Sequence, residues 1–194
     1  MLLPTDTLAR LVAALVADEL GRLRGRPVDA AERLSWGPAT PVDEDGVGAD
    51  SLARLEMAAR LNQFFHMHES GAEDYLLVRR TLGDWTGIVA ESLSRAAERV
   101  TFRTSGSTGA AKAATHALAD LAAEADAQAA LLPEAERVVA LVPPHHIYGF
   151  LATALGPARR GLPVLDAQGL SPAAVAARLA PGDLIVATPF LWGV

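Results

Sequence analysis

Thr104, Ser105, Gly106, Ser107, Thr108, Gly109 and Lys112 fall within nine consecutive residues, with Ala110 and Ala111 between the last two. Hydroxyls and backbone amides donate hydrogen bonds to phosphate oxygens, and glycine lets the backbone come close to them. Lys112 adds a compact, movable ammonium suited to terminal phosphates. It is the only lysine of the chain; the other basic side chains, histidines aside, are arginines. A flexible linker is also built from Ser, Gly and Thr. Here, however, the stretch lies between a strand-like segment, Val100–Arg103, and an Ala-rich segment expected to be helical from Thr115 or His116 to Leu132. That position and the lone lysine favour phosphate binding. The stretch is not a Walker A loop, which needs glycine before the lysine and Ser or Thr after it; Ala111 and Ala113 stand there.

Two further groups could do chemistry. Ser51, in Gly48-Ala-Asp-Ser-Leu52, opens a helix whose apolar stripe is Leu52, Leu55, Met57, Ala58, Leu61, Phe64 and Phe65. A helix start exposes its first side chains, and its free amides and dipole favour an attached phosphate. The same dipeptide also serves as an ordinary cap. Asp43, Glu44, Asp45, Asp50 and Glu56 surround it with negative charge suited to a basic partner. His145 and His146 lie in Pro143-Pro-His-His-Ile-Tyr-Gly149. No carboxylate stands between Glu136 and Asp166, so no metal site is expected there or elsewhere.

The elements that must hold these residues divide into two halves. Residues 1–98 read as four helices without strands, a small bundle. Thr5 and Asp6 can cap the first, in which Leu8, Leu11, Val12, Leu15, Val16 and Leu20 recur at helical spacing. A long connection, Pro27 to Ala49, precedes the Ser51 helix; a short helix near Glu73–Val78 and a last one near Leu82–Ala97 follow. Residues 99–194 alternate as β-α-β-α-β-α-β, the pattern of a parallel sheet covered by helices. The strands are expected at Val100–Arg103, Val138–Val142, Pro163–Leu165 and Leu184–Ala187. The helices between them are expected to run to Leu132, over Tyr148–Arg159 and over Pro172–Ala180. The chain stops soon after the last strand, where such a sheet would normally continue, so this α/β subdomain is expected to be incomplete.

Bulk properties narrow the field. The 194 residues suit one medium or two small domains, and 51% apolar content is ample for a core. A net charge of −6 argues against nucleic acid as partner. The absence of cysteine rules out disulfides and thiolate metal sites and suits a reducing cytoplasm. The N-terminus lacks a basic n-region, and Arg10, Asp18 and Glu19 interrupt the apolar stretch behind it. No run reaches the roughly 18 apolar residues of a membrane span.

Residues 5–95 resemble acyl carrier proteins in the Gly48-Ala-Asp-Ser-Leu52 core, with Glu56 and Leu61 after it, in Thr81-Leu-Gly-Asp-Trp-Thr-Gly-Ile-Val89, and in the order of their helices. The resemblance implies that Ser51 carries 4′-phosphopantetheine, placed by a phosphopantetheinyl transferase. It implies that Glu56 and the acidic cluster face enzymes acting on acyl chains, and that Met57, Leu61 and Phe65 line a core an acyl chain could enter. Residues 99–194 resemble the acyl-adenylating (AMP-binding) enzymes, which include acyl-CoA synthetases, coumarate-type ligases and peptide-synthetase adenylation domains. Ser105-Gly-Ser-Thr-Gly109 with Lys112, Pro143-Pro-His-His-Ile-Tyr-Gly149 and Val186-Ala-Thr-Pro-Phe190 carry that resemblance, in this order. It implies that Thr104–Lys112 hold the phosphates of ATP, bound with Mg2+, while a carboxylic acid attacks the α-phosphate to give acyl-AMP and pyrophosphate. It places His146 at the carboxylate or at the gate of the acyl tunnel.

The chain departs from that pattern at Ala111, where proline is usual, and in having a carrier-like bundle ahead of the loop. The adenine-binding strand, the ribose aspartate and the mobile domain with the catalytic lysine have no counterpart in these residues. The expected function is therefore that of the N-terminal part of a carrier-fused acyl-adenylating enzyme. The competing expectations are a stand-alone phosphopantetheine carrier or docking module, and a nucleotide-binding scaffold without acyl chemistry.

Overall fold

The computed structural model of the chain describes residues 3–96, 98–104 and 112–192. Two compact units divide between Leu118 and Ala119.

In the first unit α1 (Thr5–Arg24), α2 (Ala30–Ser35), α3 (Ser51–Phe65), a 3₁₀ turn (Met67–Glu69), α4 (Tyr75–Val78) and α5 (Leu82–Arg95) precede β1 (Arg99–Thr104) and β2 (Lys112–Ala117). Residues three and four apart share a helix face; Leu8, Leu11, Val12, Leu15 and Val16 of α1 are all buried on this account. They pack against α3 and α5, burying Met57, Leu61, Phe64, Phe65, Trp85 and Val89. The indole Nε1 of Trp85 donates to Leu76 O at 2.9 Å, so its one polar atom is satisfied inside the core. Side-chain caps start several of these helices, but not α1: its N-cap is Pro4 with no side-chain cap bond, so the cap expected from Thr5 and Asp6 does not form. The Asp50 carboxylate accepts from Ala53 N at 2.7 Å at the head of α3. Thr81 and Asp84 form a reciprocal capping box at the head of α5. The bonds from Thr81 hold the Asp84 carboxyl below its usual range. Within the connection expected to be irregular, Asp29 accepts from Ala31 N and starts the short α2.

β1 and β2 form an antiparallel hairpin in register from Arg99↔Ala117 to Thr104↔Lys112. This corrects two expectations. The segment after Lys112 is a strand, with α6 (Leu118–Ala130) starting only at Leu118. The strand at residues 99–104 pairs within this hairpin rather than in the parallel sheet. Alanine favours helix, but the ladder to β1 outweighs that weak preference. Val100 and Phe102 of β1 are buried, Phe102 edge-on to Phe64 of α3 at 5.4 Å, and the hydroxyls of Thr101 and Thr115 meet across the strands at 2.7 Å. The hairpin thus groups with the helices, and the two units meet at 118/119 instead of the expected 98/99.

The second unit holds β3 (Arg137–Ala140) at the centre of a parallel sheet of order β4-β3-β5, with β4 at Val164–Asp166 and β5 at Asp183–Val186. Its core includes Val138, Val139, Val142 and Val186. Arg137 and Asp183, opposite each other in register, form a two-point pair at 2.7 and 2.6 Å. Behind β3 comes one helical run made of α7 (Ile147–Gly149), a π-helical stretch (Phe150–Leu155) and α8 (Gly156–Arg160). Pro157 has no N–H to give to the carbonyl four residues back, which accounts for the altered winding ahead of it. The short α9 (Pro172–Ala176) and α10 (Pro189–Trp192) complete the unit. Among the described residues no helix is long and apolar enough to cross a membrane.

The hairpin is tied to α1 through Glu19, which is only 1% exposed and receives Arg22 and Arg103. Charge-assisted bonds of this kind contribute about 1.5–3 kcal/mol. Glu19→Ala should therefore lower unfolding stability by about that amount in urea titrations. Glu91→Ala, which removes an exposed i,i+4 pair with Arg95, should cost no more than about 0.5 kcal/mol.

Candidate functional site

The loop that follows β1 is presented by the hairpin, whose last described pair is Thr104↔Lys112. Ser105, Gly106, Ser107, Thr108 and Gly109 lie outside the described residues. Lys112 is exposed at the first position of β2. The described residues on either side of positions 105–111 belong to strands, so Lys112 opens a strand and not a helix. The hairpin is held firmly on its other side. Arg103 Nε donates to Gln63 Oε1 of α3 at 2.7 Å and Nη1 to Glu19 Oε2 of α1 at 2.9 Å.

Ser51 is the first residue of α3 and is exposed. It lines an open, polar cleft of about 370 Å³ together with Asp43, Glu44, Asp45, Asp50, Arg54 and Arg80. The cleft wall is braced from α1: Arg24 Nη2 donates to the carbonyls of Val47 and Gly48 at 2.9 and 3.1 Å. Gly48 has φ +73, a conformation that favours glycine, and a Cβ there would push aside Arg24 Nη2, 2.5 Å away. Arg54 reaches across to the carbonyl of Leu77. The acidic residues expected to form one negative face therefore share this cleft with two arginines. Glu56 stands apart from them, 3.6 Å from Arg22. Met57, Leu61 and Phe65 are fully within the packed core. Ser51 and Gln63 are 12 positions apart on α3, about 18 Å along its axis. The serine and the hairpin anchor thus occupy opposite ends of one helix.

His146 belongs to the second unit, in the turn between β3 and α7. It is exposed, whereas His145 is buried, and their rings lie 4.5 Å apart. Phe150 N donates to His146 O at 2.7 Å, starting the helical run. Beside this segment lies an apolar cavity of about 340 Å³, lined among others by Tyr148, Leu151, Val138, Leu162, Leu184 and Arg160. The Tyr148 hydroxyl donates to Ala187 O at 3.3 Å. Tyr148, rather than His146, is the residue of the motif that lines the cavity.

One group escaped the sequence reading. His66, His68 and Glu69 bring potential ligand atoms within 4.8 Å of one another, although no metal site was expected. Burial, then the opposing influence of Glu69, leaves His66 with a pKa below its ordinary value. The signal was the His66-Met-His-Glu69 spacing itself.

The chain is similar to about half the length of three curated proteins. A curated protein of Cereibacter sphaeroides named 4-coumarate–CoA ligase is 40% identical over 206 residues, covering 98% of this chain and 50% of the relative. A protein of Halorhodospira halophila with the same name is 38% identical over 190 residues, covering 98% of this chain and 48% of its own length. One from Rhodobacter capsulatus, again so named, is 38% identical over 192 residues, covering 94% and 49%. The chain therefore spans about half the length of the curated relatives it matches, and it is homologous to that part of them. No family model matches, and no solved structure matches.

The turn carrying His145 and His146 depends on Gly149, where a Cβ would lie 1.9 Å from Pro143 O. Gly149→Ala forces backbone to move, and overpacking of this kind costs about 1–3 kcal/mol. A lowered midpoint in thermal denaturation checks it; an unchanged midpoint would show that the turn accommodates the methyl group.

Proposed function

We propose that this chain is the phosphate-loop-bearing portion of an AMP-forming ligase that activates a carboxylic acid with ATP. The observation that carries this reading is the 40% identity to a protein named 4-coumarate–CoA ligase across 98% of the chain. The loop residues Thr104–Lys112 add chemical support. In the reaction a carboxylate oxygen attacks the α-phosphorus of ATP. The new bond is the acyl–phosphate linkage of acyl-AMP, the bond to the β-phosphate breaks, and pyrophosphate departs. A thiol, that of CoA in this reading, then displaces AMP to give a thioester.

The protein's part is positioning and charge stabilisation. Loop amides and the hydroxyls of Thr104, Ser105, Ser107 and Thr108 hold the β- and γ-phosphates, and Lys112 offsets negative charge gathering on the leaving pyrophosphate. Mg2+ bound with the nucleotide would neutralise further phosphate charge. His146 meets the acid carboxylate, and Tyr148 borders the apolar cavity that would accept the acid's organic part. An aromatic acid such as 4-coumarate is the first substrate to test.

Loss of one charge-assisted contact corresponds to about a tenfold or larger loss of affinity. Lys112→Ala should accordingly weaken ATP binding by at least that factor in calorimetric titration. Equal affinity of the variant and the parent would remove the phosphate-loop assignment.

A second reading keeps Ser51 as the attachment point for 4′-phosphopantetheine, which would make the helical unit a fused acyl carrier. It is favoured by the exposed serine at the start of α3 beside an open cleft. It has against it that the match to the ligases runs through the helical half as well. This reading expects intact mass to rise by one arm after treatment with CoA and a phosphopantetheinyl transferase, and the gain to vanish in Ser51→Ala. An unmodified mass would eliminate it and leave the helical unit as scaffold.

A further inference from the structure

We propose that His66, His68 and Glu69 form a binding site for a divalent transition-metal ion of the zinc type. The site is independent of the ATP and carrier readings.

The backbone creates the cluster. His66 ends α3 in the left-handed conformation, φ 54, and is the one described non-glycine residue with positive φ. The chain then turns through the 3₁₀ segment, where Met67 is wholly buried and anchors the turn. His66 is left half-buried and His68 and Glu69 exposed, with ligand atoms of the three within 4.8 Å of one another. Zinc bonds to nitrogen and oxygen are about 2.0–2.2 Å, so tetrahedral ligands stand roughly 3.3 Å apart. Small side-chain rotations close that gap, and the exposed His68 and Glu69 have room to make them.

The second reason is the orientation of the rings. Ligating histidines characteristically hold their other ring nitrogen in a hydrogen bond, which fixes the tautomer and aims the lone pair. Both histidines here are held in that way. His68 Nδ1 lies 3.2 Å from Asn62 Oδ1, and that same oxygen accepts the backbone N–H of His68 at 2.9 Å. An amide oxygen only accepts, so Nδ1 carries the proton and Nε2 bears the lone pair. His66 Nε2 lies 2.8 Å from Thr101 Oγ1, which in turn meets Thr115 Oγ1 at 2.7 Å. The His66 ring can donate through Nε2–H to Thr101, leaving its lone pair on Nδ1, 3.5 Å from Glu69 Oε1, or through Nδ1–H to Glu69, and a bound ion selects the first arrangement. The negative charge of Glu69 draws positive charge to this corner. Arg99, with Nε 3.2 Å from Glu69 Oε1, supplies part of it. A metal ion would supply the rest and take Glu69 as its third ligand.

Two imidazoles and one carboxylate form a nitrogen- and oxygen-rich set that suits Zn2+, Co2+ or Ni2+ better than Ca2+ or Mg2+. Three protein ligands leave a coordination position for water or a ligand. The ion would fasten the end of α3 to the strand that leads into Thr104–Lys112, because Thr101 of β1 is the residue behind His66.

The test uses the untagged full chain with Zn2+ followed by calorimetry, and with Co2+ followed by visible absorption. One ion per chain is expected, together with a rise in thermal midpoint on adding Zn2+. His68→Ala and Glu69→Gln, both at exposed positions, should each weaken Zn2+ binding at least about tenfold. Asn62→Ala, which removes the bonds to His68 without removing a ligand, should weaken it by about 10–100-fold. A His145→Ala/His146→Ala variant should bind as the parent does. Circular dichroism of each variant confirms that the fold persists. Absence of binding overturns the proposal, as does affinity unchanged in His68→Ala or lost instead in the His145/His146 variant. In either case the cluster is only an ion pair among Arg99, Glu69 and His66.

Discussion

A single buried carboxylate holds β1 to the helices. Glu19 comes from the last third of a helix whose other buried residues are almost all apolar. Its two oxygens are taken by Arg22 of the same helix and Arg103 of β1. A charge so placed persists only with partners, since an isolated carboxylate out of water is strongly unfavourable. The requirement runs both ways. The carboxylate needs Arg103, and Arg103, by reaching for it and for Gln63, fixes where β1 lies on α1 and α3. Burial of Val100 and Phe102 supplies affinity for the helices, but apolar contact is not directional. The ion pair adds direction, and the end of the strand that leads into Thr104 inherits it.

The helical unit places its chemistry at helix ends. Ser51 sits at the start of α3, and the histidine cluster sits at the end of the same helix. Helix termini leave backbone groups unsatisfied and expose the side chains next to them, so they are natural places for polar residues. Between these ends Arg60 runs under the aromatic layer, its carbon 5.8 Å above the Phe64 ring. Burial and then the charge of Arg103 lower its pKa to about 10. The second unit uses another device. Its parallel strands are short and apolar, and the polar residues of interest collect in the turn after the central strand. That is where open α/β sheets present ligand groups.

The sequence disclosed some of this and concealed the rest for physical reasons. The periodic leucines of α1, the Asp50 cap and the Thr81–Asp84 capping pair are local signals, and the corresponding helices lie where those signals put them. The valines at 138 and 139 marked a buried strand. The hairpin was hidden because alanine-rich Lys112–Ala117 prefers helix in isolation, and only its pairing with residues 99–104 makes it a strand. Such long-range pairing leaves no local trace. The unit boundary was misplaced with it. His66 could not be seen as a cluster member because its position depends on a left-handed turn that only tertiary packing selects. The mixed charge of the Ser51 cleft was likewise invisible, since Arg80 lies 29 positions away in sequence.

The antiparallel ladder on either side of residues 105–111 gives the chain an uneven tolerance to insertion and deletion. Side chains alternate between faces along a strand, so removing one residue within Lys112–Ala117 would exchange the faces of everything beyond it. Thr115 would leave Thr101, and the polar line from His66 through Thr101 to Thr115 would be severed. Gaining or losing a residue between positions 104 and 112 changes no pairing in the ladder. Closing a somewhat longer loop adds only a few tenths of a kcal/mol, on the order expected from chain statistics. The frame and the segment it carries are therefore free to diverge at different rates, the frame being held by parity.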